Sequence, residues 1–215
     1  MKPDVSLSWE TAPTTMGIGP SARGYHAATM AGDLLVVFGG FSKNNPSTDF
    51  GDLHALDTMS WNWITLTTLT SLSANSPGSR RESSITALGD LIIVYGGMRG
   101  SAVVSSIVYI LDAVALRQES KISWKTPVPV KDGHPSATGR KGHGAVALSN
   151  TLMLVYGGDT QKPAPNRLSD DVLVYDTSSS TWLDLTVHGV TKPSGRSRYA
   201  LASIDGGSSV VCLVG

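Results

Sequence analysis

Four times along the chain a run of apolar residues closes on glycine. The runs read Leu34-Leu35-Val36-Val37-Phe38-Gly39-Gly40, Leu91-Ile92-Ile93-Val94-Tyr95-Gly96-Gly97, Leu152-Met153-Leu154-Val155-Tyr156-Gly157-Gly158 and Val210-Val211-Cys212-Leu213-Val214-Gly215. Their first glycines, Gly39, Gly96, Gly157 and Gly215, recur at a nearly constant period. Each run is short, rich in β-branched and aromatic residues, and bounded by turn formers, which predicts a strand. Its apolar residues are consecutive rather than alternating, which predicts burial on both faces.

Other positions keep step with these runs. An arginine precedes each first glycine by a nearly constant interval, at Arg23, Arg80, Arg140 and Arg196. A small-residue alternating segment lies between them, as in His26-Ala27-Ala28-Thr29-Met30. Downstream come strands ending in Asp, at Asp57, Asp112 and Asp176, and then Trp strands at Trp61-Asn62-Trp63, Trp124 and Trp182. Each unit therefore predicts four short strands. A repeat of that kind, with its second strand covered on both sides, fits radially stacked sheets, an all-β propeller. Trp9 precedes Arg23 by the same interval at which Trp182 precedes Arg196, so Trp9 reads as the last strand of a preceding repeat. The predicted units are residues 1–14 (a terminal strand), 15–72, 73–132, 133–189 and a partial unit 190–215. One segment stands apart. Ala113 to Glu119 has helical propensity but falls between the third and fourth strands, and it reads as an elongated hairpin loop with room for a helical turn.

Composition supports the all-β reading. Glycine occurs 23 times, and three Glu stand against fourteen Asp, a bias toward turns over helices. Seventeen basic residues balance seventeen acidic ones, so no net charge draws the chain to nucleic acid or an anionic membrane. The single cysteine, Cys212, excludes an intrachain disulfide, and no Asn-x-Ser/Thr sequon occurs. Both features favour a reducing compartment, hence the cytoplasm. Apolar runs of about five residues are far too short for a membrane span, and Met1 to Glu10 lacks a signal-peptide core.

The Gly-Gly strand, the position before Asp and the Trp that follows the glycines in step together resemble the kelch repeat of β-propellers, from Trp9 to Gly215. Leu56 and Leu111 replace the family's Tyr before Asp in two units, and Tyr175 keeps it. The resemblance implies six- or seven-bladed rings, so further repeats are expected beyond Gly215. Gly39, Gly40, Gly96, Gly97, Gly157 and Gly158 are then structural, as are Trp63, Trp124 and Trp182, whose large rings suit packing between blades.

The repeated arginines are the leading polar candidates. In a propeller they gather at one mouth of the central channel, joined by Arg81, Lys141 and Arg198. That rim is similar to the surface on which kelch adaptors capture acidic peptide segments. Two readings stand: a rim that pairs with partner carboxylates, or structural arginines bonded to loop carbonyls and Asp side chains. Loops after the glycines run from Phe41 to Gly51, Met98 to Ser106 and Asp159 to Asp170, and Phe41, Met98 and Arg99 are expected contacts. His26 and His143 share one position just after their arginines, but the matching positions are Ser83 and Tyr199, which disfavours a metal site.

These readings converge on a non-catalytic interaction scaffold that needs no cofactor and binds a protein or peptide, including acidic ones. Two other classes are weighed. Galactose-oxidase-type propellers need a Tyr-linked Cys, whereas Cys212 lies in a buried-type strand, and specifier-type propellers carry an iron site whose spacing is not found here. The ectodomain of a membrane protein is the third class, with the chain then on the extracellular face.

Overall fold

The computed structural model describes residues 8–9, 11–68, 75–103, 106–125, 138–165, 167–185, 188, 192–204 and 209–213. The first sheet contains β1 (Ala27–Ala31) and β2 (Leu34–Phe38); a short hairpin of β3 (Phe41–Ser42) and β4 (Asn45–Asp49) follows, then β5 (Leu53–Asp57) and β6 (Asn62–Ile64). Its order is β1-β2-β5-β6, antiparallel throughout. After β7 (Thr67–Thr68), the second unit repeats the plan with β8 (Ser84–Leu88), β9 (Leu91–Tyr95), the hairpin β10 (Met98–Arg99) and β11 (Ala102–Val103), and β12 (Tyr109–Asp112). There α1 (Ala113–Glu119) and β13 (Lys121–Ile122) intervene before Trp124, which bridges Leu111 at the fourth-strand position. The third sheet runs β14 (Gly144–Ala147), β15 (Leu152–Tyr156), β16 (Val172–Asp176) and β17 (Thr181–Leu183), followed by the pair β18 (Ala200–Ile204) and β19 (Ser209–Leu213). The innermost strands β1, β8, β14 and β18 lie side by side in chain order, as blades around an axis.

The unbroken apolar runs now have a structural cause. Alternate residues of β9 face opposite sides. Ile92 and Val94 enter a core shared with Val36 and Phe38 of the first sheet, while Ile93 and Tyr95 enter a second core with Met153 and Val155 of the third. One strand thus supplies two cores, and no position is left for a polar side chain. The Trp strands finish these cores. Trp182 lies 5.1 Å from the Tyr95 ring of the preceding blade and 5.2 Å from Tyr175 of its own. Trp124 meets Phe38 edge-on at 6.2 Å. Trp63 is covered by residues 16–19 instead, with Met16 bonded to Trp61 and Trp63 on the backbone.

Two expectations need correction. Ala113–Glu119 is an α-helix rather than a hairpin loop. Asp112 Oδ1 accepts hydrogen bonds from Val114 N (2.9 Å) and Ala115 N (3.0 Å), which caps its start. Ala113 and Leu116 are fully buried against the first core. The equivalent aspartates accept in the same way from Met59 N and Ser178 N, at 2.8 Å each, and close tight turns. One side-chain device therefore gives a turn where Thr-Met-Ser or Thr-Ser-Ser follows and a helix where Ala-Val-Ala-Leu follows. Trp9, expected as part of a last strand, has no strand pairing and is fully exposed, so its ring packs into no blade.

Candidate functional site: the arginine-bearing mouth

Each first strand starts beside the Gly-Gly end of its second strand, since Ala27 pairs with Phe38 and Gly144 with Tyr156. The arginines, the glycine pairs and the loops after them therefore share one mouth. The glycines have φ near +65° and then near +100°, at Gly39 and Gly40, Gly96 and Gly97, and Gly157 and Gly158. That geometry turns the second amide toward the neighbouring blade. Gly40 N, Gly97 N and Gly158 N each donate to the arginine carbonyl of the next blade, at Arg80, Arg140 and Arg196, all at 2.8 Å. A second line of backbone bonds runs nearer the axis, Glu82 N to Tyr25 O, Gly142 N to Glu82 O and Arg198 N to Gly142 O, at 3.0, 2.9 and 2.7 Å. Tyr25, Glu82, Gly142 and Arg198 occupy one repeat position, two after the arginine, and all four have φ between +55° and +60°.

The repeated arginines point into their own blades. Arg23, Arg80 and Arg140 donate through Nη1 to the carbonyls of Gly39, Gly96 and Gly157, at 3.1, 3.1 and 2.8 Å. Arg23 also grips Asp52 through both carboxylate oxygens at 2.6 and 2.9 Å, and Arg140 reaches Asp171 at 3.1 Å. In the second blade Ile107 stands at the position of Asp52 and Asp171. Arg80 bonds the Pro77 carbonyl there and lies over the Tyr109 ring at 4.9 Å; burial lowers its pKa to about 10, leaving it charged at neutral pH. Burial pushes the Asp52 and Asp171 carboxyls up. Hydrogen bonds from Arg23 and His54, and from Ser169 and Arg140, outweigh that and hold both below the usual range. The Arg80 and Arg140 side chains are buried and bonded to carbonyls of their own blades, the arrangement that the structural of the two readings describes.

The flanking candidates form joints between blades. Arg81 lies 5.0 Å from the Phe41 ring of the preceding blade, pairs with Asp49 of its hairpin, and donates to Gly100 O at 2.7 Å. Lys141 Nζ meets the buried Met98 Sδ at 3.4 Å and lies 4.0 Å from Asp159. Arg99 is exposed and donates to Ser79 O at 3.1 Å, and Arg196 to Ser194 O at 3.0 Å. Phe41, Met98, Arg81 and Lys141 therefore meet in pairs, while Arg23, Arg80 and Arg140 stay apart. His143 is buried, shares a hydrogen bond with Ser84 Oγ at 2.8 Å and meets the Tyr95 ring at 5.2 Å. Burial, aided by the Arg140 charge, lowers its pKa to about 3, so it is neutral. His26 lies on the exposed surface. Among the described residues no group of three or more His, Cys, Asp or Glu could hold a metal ion, and no helix is long and apolar enough to cross a membrane.

Two further mouth residues escape the sequence pattern. Tyr25 is exposed, with Arg198 Cζ 5.8 Å from its ring. Its shared repeat position, two after the arginine, is the signal that could have found it. Arg167 holds Asp159 through Nε (3.2 Å to each oxygen) and Nη2 (3.0 Å). It lies in the loop after Gly157-Gly158, which differs in length and sequence from its counterparts in the other repeats, so no periodicity marks it.

Radial antiparallel sheets joined by interblade backbone bonds define a β-propeller. Residues 4–215 match the KLHDC2/KLHL20/DRC7 Kelch-repeats domain, and the chain belongs to the kelch-repeat family. It is 28% identical over 218 residues to Kelch domain-containing protein 3 of Rattus norvegicus, across 94% of this chain and 52% of that one. It is 26% identical over 216 residues to Acyl-CoA-binding domain-containing protein 4 of Arabidopsis thaliana, across 94% of this chain and 30% of that one. Rab9 effector protein with kelch motifs of Xenopus laevis is 35% identical over 97 residues, 45% of this chain and 25% of that one. The chain thus spans about half or less of these relatives. Domains of the family are generally protein-interaction modules and mostly non-enzymatic.

Proposed function

We propose that the chain is a non-catalytic recognition module that takes a protein or peptide partner on its arginine-bearing mouth. The observation that carries this is the cross-linking of the loops there. Asp49 of the first hairpin binds Arg81 and accepts from Gly100 N of the second at 2.6 Å. Gln161 of the third loop accepts from Val103 N at 3.1 Å and donates to Ser101 O at 3.0 Å. Three loops from three blades so form one pre-ordered surface, which lowers the ordering cost of binding. The frog relative is named as an effector of Rab9, and a protein partner is the matching reading for this chain. A cytoplasmic setting belongs to the proposal, on the single cysteine and the absence of sequons.

Panning a displayed random-peptide library against the chain tests this. Peptides should be enriched whose binding is lost in Tyr25→Ala and unaffected by Met59→Ala in an exposed turn at the opposite end. Enrichment that depends only on the opposite end would refute the mouth as the docking face.

A further inference from the structure

One ion pair at the mouth joins blades that are not neighbours. Arg23–Asp52, Arg140–Asp171 and Arg167–Asp159 each lie within one blade, and Arg81–Asp49 joins the first blade to the second. Arg198 of the fourth repeat instead reaches Glu82 of the second, 116 residues away in the chain. It donates from Nε to Glu82 Oε2 (3.2 Å) and from Nη2 to Oε1 (2.8 Å). Its Cζ lies 5.8 Å from the ring centroid of Tyr25 in the first repeat, within cation–π range. Tyr25, Glu82 and Arg198 hold the repeat position whose backbone is already bonded from blade to blade near the axis. Their side chains therefore meet over the axis.

The third repeat sends no side chain there, and this lets the contact form. Gly142 holds the matching position at φ +60°, and a Cβ on it would lie 3.2 Å from Arg198 Cγ, 3.3 Å from Arg198 N and 3.4 Å from Glu82 Oε2. The Arg198 side chain thus passes over bare backbone of the third blade to reach the second. Exposure differs sharply across the pair. The Glu82 side chain is 6% exposed and the Arg198 side chain 58%. Among the described residues Arg198 is the one group that bonds the Glu82 carboxylate. A two-point, charge-assisted pair over a covered carboxylate holds more firmly than an exposed pair, because opening it strands a buried charge.

We propose that Arg198 is a latch that closes the axial opening at this mouth, clasping Glu82 across Gly142 and capping the Tyr25 ring. A partner segment then rests on the outer side of the latch and on the loops around it, and sends no side chain down the axis between β1, β8, β14 and β18. This rests on the mouth being the docking face. It adds that the axis beneath that face is shut, and it names the residues that shut it.

Two measurements test it. The first follows solvent exchange of the Arg198 Nε–H by NMR, with the signal assigned from its loss in Arg198→Lys. Glu82→Gln and Gly142→Ala should each speed that exchange about fivefold or more, the first by weakening the acceptor and the second by displacing the arginine. The second uses a covalent clasp. In a Cys212→Ser background, Glu82→Cys and Arg198→Cys are joined by a short bismaleimide, with Glu82→Cys and Arg117→Cys as a pair that should not join. Fluorescence anisotropy then compares a labelled peptide, selected on the parent mouth, on the clasped and unclasped forms of the same folded variant. The two affinities should agree within about twofold, because the clasp fixes the surface as it already stands. Exchange unchanged in both Glu82→Gln and Gly142→Ala would overturn the latch, as would a folded Cys pair that does not join. A loss of about tenfold or more on clasping would show that the partner enters the axis, and would overturn the proposal with Tyr25-dependent capture intact. Peptides that bind only the opposite end would overturn the docking face itself, and with it the partner's resting place on the latch.

Discussion

Arg140 is fully buried, with its guanidinium shared among Gly157 O, Ser169 and Asp171. Removing it leaves a buried carbonyl short of its donor and a cavity in the blade. Arg140→Ala should therefore lower unfolding stability by about 2–3 kcal/mol, measured by chemical denaturation, while leaving peptide capture intact in the folded fraction. The same residue in a sequence cannot show which way its side chain turns, and an arginine repeated in every blade suits both readings. What decides is the Gly-Gly carbonyl within its reach. His143 carries a second prediction at this scale. It faces Ser84, Tyr95 and Arg140, and its folded pKa of about 3 lies below the ordinary 6.5. Between those values the unfolded chain takes up a proton that the folded chain does not. Stability should fall as pH drops below about 6.5, by at most about 1.4 kcal/mol per pH unit from this residue. His143→Gln should flatten that slope between pH 6.5 and 4. The depressed carboxylates Asp52, Asp159 and Asp171 add their loss only below the usual carboxylate range.

At the scale of elements, the second strands were the most legible feature, because an apolar side chain on both faces leaves a plain mark in the sequence. The helix α1 was legible only as helical propensity with room for a turn inside a hairpin loop. Its start is the same aspartate that closes a turn in the other blades, and only the residues after it differ. Asp112→Ala should cost about 1 kcal/mol through the lost cap, read as a shift in the denaturation midpoint. Of the Trp rings, Trp124 and Trp182 pack between blades, whereas Trp63 is covered by residues 16–19. Trp182 joins two blades through Tyr95 and Tyr175, so Trp182→Ala should cost about 3–5 kcal/mol in the same assay.

Across the whole molecule, a formal charge of zero conceals an ordered arrangement at one mouth. The repeat predicted a basic rim there, and most of its basic residues are matched with carboxylates. Which member of each pair faces solvent depends on burial, which periodicity does not encode. Arg167 was invisible for a related reason, since its loop differs in length and sequence from those of the other blades. The fold was thus readable because it is repeated; on the proposed docking face, Arg198 sits at a repeated position and Arg167 in a loop that differs between repeats. The central claim, that the mouth rather than the opposite end meets the partner, is tested most directly by hydrogen–deuterium exchange with and without a selected peptide. Protection should fall on residues 41–52, 98–103, 159–171 and 196–200; protection confined to the far turns at 31–34, 57–61, 88–91 and 176–181 would contradict it.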